Sequence, residues 1–186
     1  MAIQRLFRAV ASCSLLLLGI IPARPSDQLP DLDSLSDTDL KTLTVRLERI
    51  ACYGTCPAYM LTIHGDGRVE YEGKRNVKLT GTQESQVEPD EIKALAKEFA
   101  KAKFLTTSED YSGTICHRYC FDMATAVMEL TLKQVSHRVK HYYGCGDAPQ
   151  ALFELESAID RVAKVERWTG DVSKAGPFGT TCFDRN

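Results

Sequence analysis

The residues with the most chemistry to offer are cysteines. The chain carries seven, and six of them (Cys52, Cys56, Cys116, Cys120, Cys145 and Cys182) lie beyond an N-terminal apolar run that holds the seventh, Cys13. In a reducing compartment such thiols bind soft metals or exchange electrons, whereas in an oxidising one they become cross-links. The N-terminus bears on which applies. Arg5 and Arg8 precede the apolar run 9–21, and Ala23 offers a small residue for cleavage, which is the order of a secretory signal peptide. The run is shorter than the about 20 apolar residues a membrane helix needs, and no later segment is long and apolar enough to span a bilayer. Val10-Ala11-Ser12-Cys13 is shaped like a lipoprotein cleavage site, but there the apolar run precedes the cysteine, and here Leu15 to Leu18 follow it. The expectation is a signal peptide over 1–23 and a periplasmic or secreted mature chain whose remaining cysteines form an even, oxidisable set.

Within that set, Cys52 and Cys56 flank Tyr53-Gly54-Thr55 and precede Pro57. In an extended strand they would stand ~13 Å apart, beyond the ~7 Å a disulfide can bridge. Gly54 and Pro57 permit and fix the bend that closes the gap, so a local Cys52–Cys56 bridge is expected. Cys116 and Cys120 repeat the spacing. The preferred arrangement adds a bridge from Cys116 or Cys120 to Cys145, with Cys182 tying the tail to the partner left over. Two metal readings compete. The C-x-x-x-C-P pattern also occurs in copper-delivery proteins of thioredoxin-like fold, which would make Cys52 and Cys56 copper ligands or a redox pair. There, however, the motif opens a helix, and Ala58 to His64 reads as a strand. Cys116, His117 and Cys120 could form part of a zinc site, at a spacing wider than the usual C-x-x-C knuckle. No cofactor is expected.

The other reactive side chains make a weaker case. His137 and His141 have the spacing of a helical metal pair, but their β-branched and aromatic neighbours predict a strand, where the two rings stand ~13 Å apart. Surface or half-buried roles are expected for both. Asp66, in Gly65-Asp66-Gly67, suits a hairpin turn better than a calcium site. Asp110 and Asp122 lie near the cysteine loop, where they could pair with Arg118 or cap local backbone. The chain has no phosphate-binding glycine loop, nucleophile elbow or His-Glu-x-x-His helix. No catalytic residue is assigned, which favours a noncatalytic protein over an enzyme. A net charge of −2 argues against nucleic acid as a partner.

These residues need a scaffold. Val45, Leu47 and Ile50 predict a strand ending at the Cys52 loop, and Tyr59, Leu61 and Ile63 alternate with polar neighbours as a second. Gly65-Asp66-Gly67 turns that strand into a third around Val69 and Tyr71, and 77–87 reads as a polar edge strand. Glu88-Pro89-Asp90-Glu91 opens a helix with Ile92, Leu95, Phe99 and Ala102 on one face. Residues 104–121 read as a loop. Ala126, Met128, Leu130 and Leu132 mark a core strand, and 135–143 its partner. Asp147 and Gln150 resemble a capping box for a second helix carrying Leu152, Leu155, Ile159 and Val162. The predicted class is α+β: a mostly antiparallel sheet of about six strands with two helices packed on one face, stapled by disulfides. The domain is placed at 43–168, after a flexible leader over 24–42 and before a tail, 169–186, anchored by Cys182.

The segment Arg49-Ile50-Ala51-Cys52-Tyr53-Gly54-Thr55-Cys56-Pro57-Ala58-Tyr59 resembles the signature of an uncharacterised bacterial family of exported domains. Gly65-Asp66-Gly67, Tyr71-Glu72-Gly73 and Tyr142-Tyr143-Gly144 are similar to that family's residues at corresponding places. The resemblance spans about 45–168 and implies location and architecture, with no activity attached. Cys116, Cys120, Cys145 and Cys182 stand outside the family pattern. The expected function is a noncatalytic binding or envelope-associated module, with a copper-binding or thiol-redox protein as the alternative. Its partner would be a protein or envelope component, and the aromatics around Tyr53, Tyr59, Tyr119 and Tyr143 are candidates for the contact surface, with a place in the core as the alternative for several of them.

Overall fold

A computed structural model describes residues 29–170. Strand β1 (Leu43–Ile50) lies inside the sheet because its alternation is clean. Leu43, Val45 and Leu47 are buried on one face, while Thr44, Arg46 and Glu48 point to the other. It pairs antiparallel with β2 (Ala58–His64) on one side and with β6 (Thr125–Leu132) on the other. Strands β3 (Arg68–Arg75) and β4 (Gly81–Gln86) continue outward from β2, and β7 (Val135–Tyr142) continues from β6. A two-residue strand, β5 (Asp110–Tyr111), pairs parallel with β7 and completes the seven-stranded order β4-β3-β2-β1-β6-β7-β5. The class is the expected α+β. The seventh strand falls in the segment read as loop, since two residues are too few to show a period.

Helices α2 (Pro89–Lys101) and α3 (Gln150–Ala163) bury Ile92, Leu95 and Phe99, and Leu152, Leu155 and Ile159, in the core formed by the inward strand residues. The opposite sheet face carries Arg46, Glu48, Glu72, Lys74 and Arg138, as an antiparallel sheet with one solvated side should. Helix α2 begins at Pro89, and Glu91 Oε2 accepts from the Glu88 N–H at 3.1 Å. No such cap forms on α3. Pro149 occupies its cap position, and Asp147 is used elsewhere.

Strand β4 is shorter than the expected 77–87. The N–H groups of Lys78 and Leu79 donate instead to the carbonyls of Thr169 and Trp168, at 3.2 and 2.8 Å. These carbonyls belong to α4 (Glu166–Thr169), whose Trp168 stacks on Tyr71 with ring centres 4.9 Å apart. At the other end, α1 (Asp37–Leu40) is capped by the Ser36 side chain, and Leu32 and Leu40 are buried in the core. The described part of the expected flexible leader is therefore packed. Gly65 shows how closely: a Cβ there would lie 1.7 Å from the Leu40 carbonyl oxygen. The expectations for 1–23 and for the tail around Cys182 fall outside the described residues, apart from Thr169 and Gly170. Among the described residues no helix is long and apolar enough to cross a membrane.

Candidate functional site

One end of the sheet gathers the cysteines. There β1 ends, β6 begins and β7 ends, with Ile50 opposite Thr125 and Thr125 opposite Tyr142. The β1–β2 connection is bridged by Cys52 and Cys56, whose Cα atoms are 5.5 Å apart. Asn76 Nδ2 donates to the carbonyls of Gly54 and Cys56 at 3.2 and 3.1 Å, and Arg75 reaches the Cys52 carbonyl at 3.4 Å. A loop held on both flanks projects Tyr53, 93% exposed.

Beside it, the segment before β6 is fastened to the one after β7. Cys116 is bridged to Cys145 with Cα atoms 5.2 Å apart, and Cys120 is disulfide-bonded as well. The Cys120 N–H donates to the Gly144 carbonyl at 2.8 Å, and the Gly146 N–H to the Arg118 carbonyl at 2.9 Å. Asp147 Oδ2 accepts from the N–H groups of Arg118 and His117, at 3.0 and 2.6 Å. Those backbone donors, Arg118's foremost, hold its carboxyl below the usual carboxylate range. Arg118 thus pairs with Asp147 (3.8 Å), while Asp110 accepts from Ser112 instead.

The fastened segment presents aromatic rings. Tyr119 stacks on Tyr142 with centres 5.1 Å apart, and Phe121 meets Tyr119 edge-on at 5.3 Å. Phe121 is 79% exposed and Tyr119 44%. Seven large hydrophobic side chains are exposed among the described residues, and five belong to this end: Ile50, Tyr53, Ile115, Tyr119 and Phe121. Such concentration is what a contact surface requires, because scattered exposed residues would carry no such meaning. Of the four tyrosines that are candidates for either surface or core, Tyr53 and Tyr119 are exposed. Tyr59 and Tyr143 are buried.

Those two tyrosines belong to a buried polar cluster directly beneath. Arg49 occupies the inward position of β1 after Leu47 and is 3% exposed. Its guanidinium donates to Glu156 Oε2 at 2.9 Å, to Asp160 Oδ2 at 2.5 Å and to Tyr59 OH at 3.2 Å, and also to Tyr143 OH. Tyr59 OH donates to Asp160 Oδ1 at 2.7 Å, and Tyr143 OH donates to Glu156 Oε2. His141 Nδ1 lies 2.7 Å from Glu156 Oε1. Burial alone would lower the Arg49 affinity for its proton; the charge of Asp160, aided by Tyr143, Tyr59 and Glu156, outweighs it and holds the group well above its ordinary value. Burial pushes the phenols of Tyr59 and Tyr143 well up, against the pull of Arg49.

The expected strand setting of His137 and His141 separates their roles. His137 Nε2 meets the Thr107 carbonyl at 3.1 Å, and His141 is fully buried, contrary to the surface or half-buried role expected of it. Asp66 supports its turn by accepting from the Arg68 N–H at 3.0 Å. The zinc arrangement at Cys116, His117 and Cys120 does not form, because both sulfurs are in disulfides. Among the described residues no three His, Cys, Asp or Glu side chains are placed to hold a metal ion. Cys182 lies outside the described residues. The buried cluster went unread in the sequence, though a signal exists. Arg49 continues the inward series Leu43, Val45, Leu47, and Glu156 and Asp160 sit four apart on the face of α3 that carries Leu152, Leu155 and Ile159.

Residues 43–163 match the family model of the domain of unknown function DUF6438, and the chain belongs to that family. No curated protein matches the chain. Arg49 and Tyr59, which bracket the disulfide loop, both belong to the buried cluster, and through it they seat that loop on α3.

Proposed function

We propose that the chain is an exported, noncatalytic binding module that acts in the periplasm or at the cell exterior, and that the disulfide-fastened end is its contact surface. Tyr53 and Phe121, at 93% and 79% exposure on loops held by covalent bridges, are the observation that carries this reading. An exposed aromatic ring loses apolar surface to water until a partner covers it, and a rigid loop loses little conformational freedom when that happens. The partner is a protein or envelope component that covers Tyr53, Ile50 and the Tyr119–Phe121 pair together. The cluster beneath, whose arginine, carboxylates and phenols engage one another, supports a scaffold more than a catalytic centre.

The test compares the disulfide-intact chain with a Tyr53→Ala/Phe121→Ala variant and with Leu79→Ala, a control on the β3–β4 connection, in binding to separated soluble, membrane and cell-wall fractions. Tenfold or greater weakening in the double variant alone is expected, since hot-spot aromatics commonly contribute that much. Equal binding by all three chains would contradict it.

A further inference from the structure

The buried cluster is unbalanced as ordinarily ionised. Arg49 supplies one cation, and Glu156 and Asp160 supply two anions. Every carboxylate oxygen is an acceptor: Glu156 Oε1 faces His141 Nδ1, Glu156 Oε2 takes Arg49 and Tyr143, Asp160 Oδ1 takes Tyr59, and Asp160 Oδ2 takes Arg49. Neither tyrosine offsets the excess, because both remain neutral donors. Among the described residues the buried His141 Nε2 has no hydrogen-bond partner, its ring packed edge-on against Phe153 at 4.3 Å and Tyr143 at 5.0 Å. Among the described residues the strand neighbours of His141 are uncharged, Ala126 on β6 and Tyr111 on β5, whose hydroxyl is bonded to Thr107, while Glu98, Lys101, Glu154 and Arg161 lie around the Phe153 on which its ring packs. An uncompensated charge in such a setting is costly, and a bound proton removes it.

We propose that the cluster of Arg49, Tyr59, His141, Tyr143, Glu156 and Asp160 takes up one proton as the chain folds, and that this proton is part of the clasp joining α3 to β1, β2 and the end of β7. The proton belongs to the coupled set rather than to one side chain. Asp160 keeps 20% of its side chain in solvent, and its partial burial holds its carboxyl above the usual range against the pull of Arg49 and Tyr59, in the same direction. The clasp has a regulatory consequence. Arg49 and Tyr59 flank the Cys52–Cys56 loop, and Tyr143 is two residues from Cys145. Loss of the proton therefore loosens the base of the contact surface, a consequence that rests on the binding role proposed above.

Proton uptake is measurable without any partner. A native state that binds one more proton than the unfolded chain loses stability as pH rises. Between pH 7 and 9, urea unfolding of the disulfide-intact chain should show the folding constant falling by up to about tenfold per pH unit. Glu156→Gln leaves Arg49 balanced against Asp160 alone, so its profile should be flat over that window. Should this variant fail to fold, isotope-edited NMR of the unaltered chain at pH 7.5 must find the extra proton on the His141 ring or on a carboxyl of Glu156 or Asp160. A flat profile for the unaltered chain, a slope unchanged by Glu156→Gln, or spectra with neutral imidazole and two carboxylates would overturn the proposal. A flat profile leaves the binding role standing, and failed partner binding leaves the proton uptake standing.

Discussion

Arg49 is one side chain meeting two carboxylates and two phenols inside the core, and that sets what its loss should do. Arg49→Met keeps the length but removes the cation to which the Glu156 and Asp160 carboxyls and two phenols are bonded. Breaking a buried pair by removing one partner costs about 3–5 kcal/mol, so urea unfolding near pH 7 should show a loss of that size. Arg49→Lys keeps the charge but cannot serve four acceptors from one ammonium, and should fall between the two. The phenols make a second prediction. Burial raises Tyr59 and Tyr143 well above the ordinary range and takes Tyr71 up to about 12. An acid held high in the folded chain stabilises it fully below the unfolded value, near pH 10, and that contribution is lost as pH climbs above it. In an alkaline titration these three tyrosines should ionise together with loss of near-ultraviolet circular dichroism. Reversible ionisation of all seven tyrosines with the fold intact would contradict the burial described.

At the scale of elements, β1, β2, β6 and both long helices are legible in the sequence, since each repeats its apolar period several times. What escapes is short or held from a distance. β5 has two residues, and β4 loses its first residues to carbonyls from α4, a contact with no local signature. Asp147 stands where a helix cap would, yet the N–H groups of His117 and Arg118 claim it, because Cys116–Cys145 brings their loop alongside. Gly144 is fixed by the same approach: a Cβ there would sit 2.1 Å from the Cys120 carbonyl oxygen. Gly144→Ala should therefore lower the melting temperature and speed amide exchange at Cys120, and normal exchange there would argue against the pinned loop. Beyond the family match, Val165 and Trp168 pack into the core, as do Leu32 and Leu40 ahead of it. A chain trimmed to 43–163 should unfold at lower urea concentration than one spanning 29–170. Trp168→Ala alone should cost about 3–5 kcal/mol.

Over the whole molecule, covalent and polar constraints converge on a single end. The Cys52–Cys56 and Cys116–Cys145 bridges and the bonded Cys120 fix the loops there, the buried cluster seats them on α3, and exposed aromatic rings cap them. A bridge is worth about 2–4 kcal/mol, a large fraction of a domain's stability of about 5–15 kcal/mol. The candidate site was only half legible: cysteine spacing and Tyr53 point to it, but Phe121 lies in a stretch without periodicity, and nothing local distinguishes an exposed Tyr119 from a buried Tyr143. The central claim, a surface built by oxidised cysteines, is tested most directly by thiol titration and disulfide mapping of the native chain recovered from its own cellular compartment. No free thiol is expected in the processed chain, with Cys52 joined to Cys56, Cys116 to Cys145, and Cys120 to Cys182. Free thiols at Cys52 and Cys56 in the native chain would contradict it and return the metal and redox chemistry of that pair to the front.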